Sequence, residues 1–276
     1  MSTRADAAAG TQDRVRQVVV LLGAAAAIVG AAWGAGAFGG TPIQEAAGGA
    51  LAADATVLAP ASGAFGIWSI IYAGLAAFAI VQALPSRAAD PRMRALGWPV
   101  LASMVLNAVW IGVIQAGLLW VSVVVIAALV AVLVRTALIL VATRPGSWLD
   151  RAVSDVTVGL YLGWATVATV ANITAAGVAS LGADADAGTG VAAAVLAVVA
   201  VVTAVIARGT RGSFPLSVAS GLAMAWGLGW IAYGRAEGEP HSLVVMWAAG
   251  LAACVAFAAP FAVRDFSRRQ GDADAA

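Results

Sequence analysis

The chain contains eight apolar stretches, each long enough to cross a membrane as a helix. A helix crosses the hydrocarbon core in about 20 residues, and we predict spans near 17–38, 64–84, 96–115, 118–141, 153–177, 189–207, 214–234 and 242–263. The chain is 62% hydrophobic and 11% charged, whereas a soluble domain is roughly 45–50% apolar and about 25% charged. The sequence therefore predicts an all-α integral membrane protein, an eight-transmembrane-helix bundle.

The arginines support the count of eight spans. All fifteen basic residues are arginine, and with eight crossings only Arg235 falls on the opposite side from the rest. The positive-inside rule then places both termini in the cytoplasm. The Ala-, Val-, Gly- and Arg-rich composition is typical of a GC-rich bacterial genome, so we expect a multi-pass protein of the bacterial cytoplasmic (inner) membrane.

Three connections between or beyond the spans can be anticipated. Residues 95–141 would reach roughly 70 Å as one helix, over twice the bilayer core, so Gln115, Ala116 and Gly117 are predicted to form a tight reversal. The longest external loop is expected at about 39–63. The tail after Arg269 is small and polar, and we expect it to be disordered.

Composition also limits the chemistry. A net charge of +1 argues against a nucleic-acid partner, because no basic stripe exists to neutralise phosphates. Cys254 and His241 are the only residues of their kinds, so neither a zinc site nor a Ser-His-Asp set is expected. Asp155 falls in the first turn of the fifth span, where the helix dipole and nearby water make a carboxylate tolerable. The lipid bilayer is the partner that composition predicts.

Large aromatic and carboxamide side chains recur inside three spans at helical spacing. Residues three and four apart share a face of a helix, and three such stripes occur: Phe65, Trp68 and Tyr72; Asn107 and Trp110; Tyr161, Trp164, Ala168 and Asn172. Aromatic walls, a small residue and a few amide groups favour a pocket for a flat, largely apolar ligand. The alternative is packing, because Trp and Tyr form interfacial belts and Asn can bridge two helices.

These stripes resemble the TspO/MBR family, the tryptophan-rich sensory proteins related to translocator protein. The motifs that carry the resemblance are, in chain order, Trp68 and Tyr72, Leu106-Asn107 and Trp110, Arg135, and Tyr161, Trp164, Ala168, Thr169 and Asn172. It covers about residues 15–180. The chain departs from the family in keeping only Pro60 of a Pro-Pro stretch and in placing Phe65 three residues, not four, before Trp68.

The resemblance implies a domain organisation. Residues 1–180 would form a TspO-like five-helix membrane core, and residues 181–276 would add three transmembrane helices and the cytoplasmic tail. The added part has its own stripe of Trp226, Trp230 and Tyr233. It would either cover one flank of the core or build a second cavity.

The resemblance also implies a function, that of a membrane-embedded binding or sensory protein for tetrapyrroles (protoporphyrin IX, haem) or similar flat apolar ligands. No cofactor would be required. Trp68 and Trp164 would flank the ligand, Asn107 would hydrogen-bond it and Ala168 would leave space. Some family members are credited with light- and oxygen-dependent porphyrin breakdown, so enzymatic activity stays open.

Two other function classes and one assembly remain open. Eight spans suffice for a small-molecule transporter, although clear repeated halves, broken helices and intramembrane charges are lacking. A structural membrane partner without a ligand follows from the packing interpretation of the aromatic residues. Gly30 and Gly34 form a small-x-x-x-small pair, which can bring helices together within one chain or in a homodimer.

Overall fold

The computed structural model describes residues 9–37, 39–186 and 188–274, and within them eight long helices. Their bounds are α1 (Thr11–Gly34), α2 (Ile67–Ala83), α3 (Pro91–Gln115), α4 (Leu119–Ala142), α5 (Thr157–Leu181), α6 (Thr189–Gly209), α7 (Phe214–Glu237) and α8 (Leu243–Asp274). All eight are long and apolar enough to span a membrane. The predicted fold class is confirmed.

α1 lies nearer the N-terminus than the predicted span 17–38. Its start is fixed by Asp13, whose carboxylate accepts a hydrogen bond from the Gly10 amide at 3.0 Å, a favourable arrangement at a helix N-terminus. Gly36 adopts a left-handed conformation with φ +88°, which ends the helix. Phe38, the last residue of the predicted span, lies outside the described residues.

The predicted reversal between α3 and α4 is confirmed. Gly117 has φ +74°, a conformation that glycine adopts readily, and α4 begins two residues later. α3 itself starts at Pro91 rather than near residue 96. The reason is local, because the Asp90 carboxylate accepts hydrogen bonds from the first amides of the helix and proline is favoured at the first helical position.

The first five helices close into a ring. α1 packs against α2 and α3, α3 against α4, and α4 against α5. α5 completes the ring by contacting α2, directly and through the π-helical turn Arg151–Val156 that precedes it. α7 packs along the outside of α5, and α8 joins α7 to α6. The last three helices therefore cover one flank of the ring.

α8 continues to Asp274, over most of the predicted disordered tail, and residues 275 and 276 lie outside the described residues.

Glycines allow α5 and α7 to approach very closely. A Cβ on Gly163 would lie 2.2 Å from the backbone oxygen of Ser220, and one on Gly159 would lie 2.6 Å from the backbone oxygen of Leu216. Small residues allow this kind of backbone contact between membrane helices. The helix that carries Trp164 is therefore fixed to α7.

The two ends of the bundle differ in charge. With eight alternating spans, every described arginine except Arg235 belongs to the end at which α1 begins and α4 ends, here called the arginine-rich end. The opposite end carries the first loop, the connection between α1 and the 3-10 helix Ser62–Gly66 that leads into α2. Gly34, at the first-loop end of α1, packs inside the monomer, because a Cβ there would lie 2.6 Å from Ile111 Cγ2.

Candidate ligand-binding cavity

An aromatic cluster joins α2 and α5 inside the ring. The Trp68 and Trp164 rings have centroids 6.3 Å apart and planes at 85°, the edge-to-face arrangement that aromatic pairs prefer. Trp68 also stacks on Tyr72 at 5.1 Å and meets Tyr161 edge-on at 5.7 Å. Phe65 meets Trp164 at 5.8 Å. The indole rings of the second and fifth spans thus face each other, Trp164 fully buried and Trp68 partly exposed.

Hydrogen bonds tie the carboxamides to this cluster. Asn107 Nδ2 donates to Tyr72 Oη at 2.8 Å, which links α3 to α2. Trp110 Nε1 donates to Asn172 Oδ1 at 2.7 Å, and Asn172 Nδ2 donates to Ser122 Oγ at 2.9 Å. Asn172 therefore bridges α3, α4 and α5, as the packing alternative anticipates for an Asn in a membrane helix.

A cavity lies beside the aromatic cluster at the first-loop end. The space between its lining atoms is about 680 Å³ when its open side is counted. The interior is narrow: its cavity volume is only about 40 Å³, well below the roughly 300–1,000 Å³ typical of ligand pockets. Six of the residues predicted from the sequence line it: Phe65, Trp68, Asn107, Trp110, Trp164 and Ala168. Tyr72, Tyr161 and Asn172 do not line it but contact residues that do.

The rest of the lining escaped the sequence-based prediction. The first loop contributes Leu51, Thr56 and Pro60, α4 contributes Ile126 and Leu129, and α5 contributes further small residues. The small residues could have been predicted from the sequence, since Ala168, Ala171 and Ala175 continue the stripe of Trp164 at helical spacing. The loop residues could not have been predicted, because their position depends on contacts with helices that are distant in sequence.

Three buried polar atoms in the cavity wall have no hydrogen-bond partner among the described residues: Thr56 Oγ1, Asn107 Oδ1 and Trp164 Nε1. The three residues are between 1% and 2% exposed. An unsatisfied buried polar group costs about 1–3 kcal/mol, and such groups in native proteins call for an explanation.

The first loop covers this cavity and is fastened to α7. Arg235, which is 1% exposed, donates hydrogen bonds from Nη1 to Thr56 O at 3.0 Å and from Nη2 to Ala53 O at 2.7 Å. The Ala61 amide donates to Trp230 O at 3.2 Å. Arg235 is thus a buried clamp on the loop, which explains why it lies apart from the other arginines.

A second space lies on the other side of the aromatic cluster. It has an empty volume of about 700 Å³ including its opening and lies between α1, α2, α3 and the first loop. Phe65, Trp68 and Trp110 line both spaces. These three rings form the partition between the cavity and its neighbour.

Comparison with known proteins identifies a family. The family model described as "TSPO-like protein" matches residues 17–262, which include all eight spans except their outermost residues. The match thus extends over the last three helices, beyond the resemblance at residues 15–180. No curated protein and no solved structure matches the chain.

Proposed function

Because the chain belongs to the TSPO-like protein family, we propose that it is a membrane-embedded binding or sensory protein for tetrapyrroles such as protoporphyrin IX or haem, or for similar flat apolar molecules. The observation that carries the proposal is the set of three unpartnered polar atoms in an otherwise aromatic and aliphatic cavity wall.

The chemistry of a tetrapyrrole complements this wall. Its ring is flat and apolar, and it would lie between the Trp68–Trp164 pair and the small-residue stripe Ala168, Ala171 and Ala175. The Trp164 N–H and the Thr56 hydroxyl can donate to carboxylate or carbonyl groups at the edge of the ring, and the Asn107 oxygen can accept from a pyrrole N–H. A hydrogen bond to a charged group is worth about 1.5–3 kcal/mol.

Entry of a ligand of this size requires movement, because the cavity is narrow. Phe65 and Trp68 are only partly buried, and both belong to the partition between the two spaces. Rotation of these rings would join the two spaces into one. We propose that the ligand enters by displacing this partition below the first loop.

The same proposal includes an orientation. The arginine-rich end would face the cytoplasm by the positive-inside rule, in a bacterial inner membrane. The first loop and the cavity beneath it would then lie toward the outer face of that membrane.

Titration of the purified protein with protoporphyrin IX tests the proposal. The porphyrin absorption band should shift saturably, and Trp164→Phe should weaken the apparent affinity about tenfold, because it removes the N–H donor while keeping an aromatic ring. Trp247→Phe is the matched control, since Trp247 is 67% exposed on α8 and should bind as the wild type does. Absence of saturable binding by the wild type would contradict the ligand class, and equal affinity in Trp164→Phe would contradict the site.

A further inference from the structure

A separate open space lies at the arginine-rich end, far along the bundle from the cavity. It has an empty volume of about 980 Å³ including its open side, and it is lined by residues 10–13 of the α1 start, Arg16, Arg94 and Trp98. Trp98 is 48% exposed, which is typical of an indole at the level of the lipid headgroups. Nothing in the proposed tetrapyrrole function uses this space.

Arg16 is the unusual residue in this space. It is 3% exposed, and its Nη2 donates to the backbone oxygen of Ala88 at 2.8 Å. Its Nε and Nη1 are buried and have no partner among the described residues. The stem of Arg16 lies against Gly97, where a Cβ would come within 3.0 Å of Arg16 Cδ. The guanidinium is therefore anchored through Nη2, and its two unused donor atoms are shielded from solvent.

No carboxylate neutralises Arg16 directly. The nearest acidic side chain in the lining is Asp13, which pairs with Arg94 through two hydrogen bonds, at 2.7 Å from Nε and 2.6 Å from Nη2. Arg16, Arg94 and Asp13 together leave one net positive charge in the space. The start of α1 adds the positive end of the helix dipole, which the Asp13 carboxylate already offsets in part through its hydrogen bond from the Gly10 amide.

We propose that this space binds a phosphate group, toward which the shielded Nε and Nη1 of Arg16 turn to act as its principal donors. A guanidinium and a helix N-terminus both favour a phosphate oxyanion. Basic pockets between membrane helices bind anionic lipid headgroups, and the exposed ring of Trp98 lies where such a headgroup would be. The phosphate can come from a lipid or from solution, and the experiment distinguishes these sources.

The test measures the melting temperature of the full chain in a neutral detergent. One series adds phosphatidylglycerol, a second adds inorganic phosphate against chloride at equal ionic strength, and a third adds diacylglycerol, which lacks the phosphate. We expect saturable stabilisation by phosphatidylglycerol and none by diacylglycerol. Stabilisation by inorganic phosphate as well would show that the phosphate group alone suffices, and its absence would assign the site to the lipid.

Two variants move the affinity in opposite directions. Arg16→Gln should weaken phosphatidylglycerol binding about tenfold, because it removes the charge and the charge-assisted hydrogen bonds. Asp13→Asn should strengthen it about fivefold, because it adds one net positive charge to the site. Arg211→Gln is the matched control, an exposed arginine at the same end, and should leave the affinity unchanged.

The opposite signs keep the test decisive even if Arg16→Gln fails to fold. A folding defect cannot produce tighter binding in Asp13→Asn. The proposal is overturned if neither lipid nor inorganic phosphate stabilises the wild type saturably, if Arg16→Gln binds as the wild type does, or if Asp13→Asn binds no more tightly.

Discussion

Replacement of Asp155 by alanine should lower the free energy of unfolding by about 3–5 kcal/mol. The side chains of Arg92 and Asp155 form an ion pair and are only 5% and 1% exposed. Ser213 Oγ donates a hydrogen bond to the Asp155 carboxylate at 2.5 Å. The pair therefore joins α3, the turn before α5 and the start of α7. Removal of the carboxylate leaves the Arg92 charge buried without compensation.

The double variant Arg92→Met, Asp155→Leu tests whether the loss of stability comes from the uncompensated charge of Arg92. Replacing both members of a buried ion pair by apolar residues of similar size is often neutral or stabilising. We therefore expect the double variant to recover most of the stability that Asp155→Ala loses, as measured by unfolding in detergent. A double variant no more stable than the single one would show that the loss does not come from the uncompensated charge.

Replacement of Arg235 by methionine should release the cover of the cavity. Methionine keeps an unbranched apolar stem but removes the hydrogen bonds to Ala53 O, Thr56 O and Glu239 O. Since hydrogen bonds to charged groups contribute about 1.5–3 kcal/mol each, the first loop should open far more often. Amide hydrogen exchange over residues 53–61 should accelerate by about tenfold or more.

Arg235→Lys is the graded control. A single ammonium keeps the charge but lacks the planar fork that reaches several carbonyls at once, so exchange should lie between that of the wild type and that of Arg235→Met. Unchanged exchange in Arg235→Met, with the protein still folded, would contradict the role of Arg235 as the clamp.

Periodicity predicted which side chains face inward, because a helix face follows directly from residues three and four apart. It predicted the faces that carry Trp68, Trp164 and Asn107, whereas their meeting around one ligand was implied only by the family resemblance. Periodicity does not show which neighbouring helix a side chain meets at its level along the helix axis. Tyr161 and Asn172 lie on the same stripe as Trp164 but at other heights, so they meet neighbouring helices and not the cavity.

The remaining features depend on contacts between parts of the chain that are distant in sequence. The sequence showed only that Arg235 lies on the opposite side of the membrane from the other arginines. Its contacts with Ala53 and Thr56 could not be predicted, because these residues lie in a loop without periodicity. Asp155 was expected near water in a first helical turn. The structure instead adds the turns from Trp148 onward before α5, and Asp155 is fully buried beside Arg92.

The most direct test of the cavity as the ligand site is to fill it. Ala168→Leu places a larger side chain in the cavity wall, whereas Ala128→Leu makes the same change at an exposed position of α4. In protoporphyrin IX titrations, we expect Ala168→Leu to bind at least about tenfold more weakly than the wild type, since a well-packed site cannot accept extra volume without strain. Ala128→Leu should bind as the wild type does. Equal affinity in both variants would contradict a binding site between the second, third, fourth and fifth helices.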